Sequence, residues 1–177
     1  MTISESTLQA NQKVQTLAET FAGECCVELF EGSEIPLSAH AGASGTGLSF
    51  CAVIGFSGKA LRGSLVVGLS GAAMTNLKAF ADVPGRDALG ELANQLLGRL
   101  KNRLLRYDVE LFLGIPVVLR GEHFSPLPRH ELEPLHFRFG EGDLALWVEI
   151  ECSDGFSMRS EPSEAEAALA EGASLMF

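Results

Sequence analysis

The twenty residues 86–105 constrain this chain more than any other segment. Placed at about 100° per residue, Leu89, Leu92, Ala93, Leu96, Leu97 and Leu100 gather on one broad side of a helix. Twenty residues at about 1.5 Å each make a rod roughly 30 Å long, and its leucine side must be buried against another element. Asp87, Glu91, Asn94, Gly98 and Lys101 fall on the opposite side, all within about 40° of Asp87, as one narrow stripe directed away from the core.

Two features of that stripe are poorly explained by helix stability alone. Asp87 and Glu91 are like charges four residues apart, which costs a few tenths of a kcal/mol unless the helix N-terminus offsets it. Gly98 costs about 1 kcal/mol relative to alanine in a helix interior, and it lies on the polar side, where the core does not require it. A glycine on an outward face removes bulk where another backbone can approach.

Around this rod the pattern alternates between helix and strand. A first helix is expected over 6–21, ended by Gly23, followed by a short extended piece over 26–30. The Gly, Ala and Ser of 39–47 read as a loop. Strands over 48–56 and 61–69 form a hairpin, and a short helix covers 72–80. After Arg106 the period changes to that of strands, over 108–113 and 116–119, with a loop over 120–133. A closing hairpin spans 135–139 and 144–150 around Gly140-Glu141-Gly142-Asp143. The expected fold class is α+β, a mixed and largely antiparallel sheet packed against long helices. One domain is expected over 1–152, with an acidic tail over 153–177.

Composition closes off several functions. The 177 residues carry 13 Lys and Arg against 23 Asp and Glu, a net charge of −10. A chain with no basic excess does not hold nucleic acid by neutralising phosphates, and it is a poor match for an anionic membrane. From Glu151 onward one arginine faces six acidic residues, so half of the net charge belongs to this last stretch. No apolar run approaches the roughly 20 residues of a membrane span, and the first residues lack the regions of a signal peptide. A cytosolic protein is expected. Cys25, Cys26, Cys51 and Cys152 form no C-x-x-C pair, so they are expected to be buried, reduced thiols.

The stripe also matches a known pattern. Asp87-Ala-Leu-Gly-Glu91-Leu-Ala-Asn94 resembles the D/S-x-x-x-E-x-x-N signature of the CheC/CheX family of chemotaxis phosphatases. Its continuation Gln95-Leu96-Leu97-Gly98 resembles the CheX branch. Leu113-Gly114-Ile115-Pro116-Val117-Val118 looks like the proline-bearing strand that follows the family helix, and residues 139–149 resemble its closing hairpin. The likeness covers about residues 48–150.

That resemblance implies a substrate, the phosphorylated aspartate of a CheY-type response regulator. The regulator brings its own Mg²⁺, lysine and hydroxyl, so this chain is expected to bind no cofactor itself. What remains to be supplied is an attacking water held in line with the leaving aspartate oxygen. A carboxamide suits the task because it is neutral and both donates and accepts hydrogen bonds. The resemblance gives that role to Asn94 and a docking role, against the regulator's lysine, to Glu91. Asp87, Gly98 and Lys101 complete the partner-facing stripe. The first helix has Glu19 but Ala22 where an asparagine would complete a second motif, so one site per chain and a CheX-like homodimer paired through sheet edges are expected. The alternative is a non-catalytic module that binds a response regulator or a flagellar-switch-type assembly.

Overall fold

The computed structural model describes residues 5–40, 47–81, 83–126, 128 and 132–163. In chain order the elements are α1 (Glu5–Leu29), β1 (Leu37–His40), β2 (Leu48–Gly58), β3 (Leu61–Leu69), α2 (Gly71–Ala81) and α3 (Gly85–Leu105). They continue with β4 (Phe112–Leu113), β5 (Val117–Phe124), β6 (Leu135–Phe139) and β7 (Gly142–Cys152). The strands form one sheet in the order β1-β6-β7-β3-β2-β4, with β5 beside β4 along the same margin of β2. Every described pairing is antiparallel. The α+β class is as the sequence predicts.

Strand alternation makes one sheet face the core. Ala52, Ile54 and Phe56 of β2, Leu65, Val67 and Leu69 of β3, and Leu144, Leu146, Val148 and Ile150 of β7 share one buried cluster. The helices bring Val14, Ala18, Ala22 and Cys25 from α1, Met74 and Leu77 from α2, and the leucines of α3 into the same cluster. All six residues assigned to the inner face of α3 are buried there. All four cysteines are free and buried, as expected. Trp147 is buried too, outside this cluster and beside Gly68 of β3, whose Cβ would stand 3.4 Å from its ring.

Three local expectations are corrected. The first helix does not stop at Gly23, and 26–30 is not extended: α1 runs on to Leu29. A helical glycine costs about 1 kcal/mol, and burial of Ala22, Cys25 and Cys26 outweighs it. The extra turns also place Glu24 and Glu28 on α1 against Arg103 of α3, whose guanidinium lies 5.5 Å from the centroid of the Phe21 ring.

The strand expected over 108–113 is reduced to Phe112–Leu113. Asp108 adopts a positive φ of 61° and the Val109 amide donates to the Leu104 carbonyl at 3.2 Å, so 108–109 serve to turn the chain off α3. Conversely, 120–124 is strand and not loop, because β5 follows β2 down to a Leu48–Phe124 pair across a register shift. In the expected loop 39–47, Ala39 and His40 belong to β1, and residues 41–46 lie outside those described.

Of the tail, 153–163 is described, and it packs back on the domain. Arg159 and Ser163 donate their amides to the carbonyls of Tyr107 and Arg106, and Phe156 and Met158 rest against the core. The rest of the tail, 164–177, lies outside the described residues.

Candidate functional site

α3 is fixed on three sides. Its inner leucines rest on β2 and β3. On one flank, Arg99 and Arg103 reach the α1 carboxylates of Glu28 and Glu24, the Arg99–Glu28 pair at 3.7 Å. On the other, Gly90 is buried against β5: a Cβ there would stand 3.7 Å from Val118 and 3.8 Å from Pro116. The outer side stays uncovered between these flanks.

That outer side holds the residues singled out in the sequence. Asp87, Glu91 and Asn94 are exposed, and Gly98 and Lys101 are half-buried. Asp87 lies in the first turn, where the positive end of the helix dipole favours a carboxylate; Pro84 precedes the helix and supplies no side-chain cap. Among the described residues, nothing hydrogen-bonds the Asn94 carboxamide and no carboxylate pairs with Lys101. Outside its own stretch of helix, nothing among the described residues lies within 4 Å of where a Gly98 Cβ would stand. So the glycine answers to no neighbour among the described residues.

One residue of this surface was passed over in the sequence. Gln95 donates from Nε2 to Oε1 of Glu91 at 2.9 Å. Its spacing, four residues C-terminal to a glutamate, is the spacing that brings side chains together on a helix.

The described residues contain no group of three or more His, Cys, Asp or Glu that could hold a metal ion. Nor do they contain a helix long and apolar enough to cross a membrane. The face presents a carboxylate held by Gln95 and, one turn further on, an exposed carboxamide.

No protein-family model and no curated protein matches this sequence. Solved structures do match its fold. The chemotaxis protein CheX from Vibrio vulnificus superposes with a TM-score of 0.59 at 16% identity, over 75% of this chain and 96% of that one. CheX from Borrelia burgdorferi, in a complex with CheY, BeF3 and Mg²⁺, superposes with a TM-score of 0.54 at 12% identity, over 77% and 96%. FliY from Thermotoga maritima gives a TM-score of 0.51 at 11% identity, over 87% and 93%. A sheet of this order with three helices on one face, spanning nearly the whole of such chains, gives this protein the fold of the CheC/CheX-like chemotaxis proteins.

Proposed function

We propose that this chain is a CheX-like member of the CheC/CheX family and a phosphatase for the aspartyl phosphate of a CheY-type response regulator. The observation that carries the reading is the Asn94 carboxamide, exposed and unengaged on a leucine-backed helix, one turn beyond an exposed Glu91. A rigid element holds a positioned group better than a loop does.

In this reading Glu91 pairs with the regulator's active-site lysine and thereby seats Asn94 beside the phosphoryl group. The amide of Asn94 orients a water in line with the bond to be broken. The water oxygen bonds to phosphorus as the bond from phosphorus to the aspartate oxygen breaks. The regulator recovers its carboxylate, and the water proton leaves with the phosphate or to solvent. Asn94 takes no proton at any stage, because a carboxamide is not a base at neutral pH. Magnesium belongs to the regulator and neutralises the phosphoryl oxygens there. Gly98 admits the regulator's backbone, Lys101 lies at the edge of the contact, and Asp87 marks its other end. The reaction takes place in the cytosol.

The homodimer belongs to the same reading. Phe112, Ile115 and Val117 on the β4–β5 margin are 60%, 87% and 57% exposed, a run of apolar side chains along a sheet edge that a second copy would cover.

The test is phosphate loss from a phosphorylated CheY-type regulator. Wild type should accelerate it, Asn94→Ala should bind the regulator and fail to accelerate, and Glu91→Ala should weaken binding first. Binding by wild type without acceleration would establish the non-catalytic module in its place.

A further inference from the structure

We propose that Gln95 is a positioning residue that holds the Glu91 carboxylate for an incoming ammonium group, an inference that rests on the reading of Glu91 as a docking residue. A glutamate on an exposed helix face samples many rotamers, and freezing one of them on binding opposes association. Here the hydrogen bond from Gln95 Nε2 engages Oε1 of Glu91 before any partner arrives. Among the described residues nothing bonds the other carboxylate oxygen, which stays open to a cation from outside.

The identity of the holding residue matters as much as its reach. The helix positions within one turn of Glu91 are Asp87, Ala88, Asn94 and Gln95, and none is cationic. Arg99, two turns further along α3, reaches Glu28 of α1 at 3.7 Å. Glu91 is therefore held by a neutral donor and not by a cation of its own helix turn. A lysine at position 95 would also reach it, by the most favourable ion-pair spacing on a helix, but would neutralise it and compete with the partner's ammonium. A glutamine gives orientation without that competition, and pre-orienting a binding group raises affinity without adding a contact.

The experiment measures two quantities on the intact protein with a CheY-type regulator: affinity for the regulator loaded with beryllium fluoride and Mg²⁺, and steady-state dephosphorylation. Gln95→Ala should raise both the dissociation constant and the half-saturating concentration about 3–10-fold, the worth of one hydrogen bond, and leave turnover at saturation unchanged. Gln95→Lys should weaken binding further. Added to Glu91→Ala, Gln95→Ala should cost nothing more, because it acts through Glu91. Additive losses in that double variant, or unchanged affinity in Gln95→Ala, would overturn the proposal. If wild type binds without accelerating dephosphorylation, the phosphatase reading fails, while the affinity series still decides the role of Gln95. If wild type binds no such regulator, both fall together.

Discussion

Gly98 stands one turn beyond Asn94 on the outer side of α3, and outside its own stretch of helix no atom of the described residues comes within 4 Å of where its Cβ would be. Its φ is not in the left-handed region, so the backbone does not require glycine either. Within the isolated fold the residue is a defect. Gly98→Ala should therefore stabilise the protein by about 1 kcal/mol, read as a higher urea midpoint with unchanged slope. If the bare backbone serves an approaching partner, the same variant should bind a CheY-type regulator less tightly, and Gly98→Leu should abolish binding while remaining folded. Stabilisation with undiminished binding would remove the glycine from the contact.

On the inner side the expectation is the reverse. Leu96 is 1% exposed and sits in the common cluster of helices and sheet. Leu96→Ala should cost roughly 2–5 kcal/mol by denaturant unfolding, combining lost burial with the cavity left behind. A loss under about 0.5 kcal/mol would mean that α3 is turned the other way on the sheet.

The contrast between Gly98 and Leu96 also shows why the site was legible in the sequence. Both sides of α3 follow from one period over a long segment, and tertiary packing reinforced that period. The sheet hairpins were legible for the same reason. What the sequence hid was decided by distant partners. The stretch from Cys26 to Phe30 reads as strand by its own residues, yet Glu24 and Glu28 meet Arg103 only if α1 continues, and that arginine lies 75 residues or more away. Residues 120–124 carry arginine, glycine and glutamate and look like a loop. They extend as strand because β2 offers them an open margin. The Gln95–Glu91 hydrogen bond was within reach of a spacing argument, which the E-x-x-N pattern overshadowed.

The buried thiols predict an alkaline limit to stability. Burial pushes Cys26 up from its ordinary 9.0 to about 12, with the neighbouring Cys25 adding to the rise, and burial likewise raises Cys25 and Cys152 to about 11. Folded-state values above the unfolded ones mean that the folded chain keeps protons which the unfolded chain releases. The stabilisation is complete below about pH 9 and is lost as pH rises from there toward 11–12. Cys26 alone should cost on the order of 2 kcal/mol by about pH 10.5. The unfolding midpoint should fall steeply over that interval, less so in Cys26→Ala than in wild type. At pH 8 a thiol reagent should leave the native protein unmodified and label four cysteines after denaturation. A cysteine that reacts at full rate in the native protein would contradict its burial.

The apolar margin of the sheet makes the last prediction. β4 and β5 run in tandem along β2, joined through Gly114, whose amide donates to the Gly55 carbonyl at 2.8 Å. That contact carries Ile115 outward to 87% exposure beside Phe112 and Val117. Unpaired strand edges with large apolar side chains associate unless charge or a bulge prevents it; these three residues are uncharged, and the charges and register shift of β5 lie further along, at 120–124. Ile115→Lys together with Val117→Lys should leave the unfolding midpoint of the isolated chain nearly unchanged, since neither side chain is in the core. In sedimentation analysis wild type should run as a dimer and the double variant as a monomer. A wild-type protein that stays monomeric at concentrations near 100 μM would remove this edge as a self-association surface, since a specific interface of standard size holds well below that range.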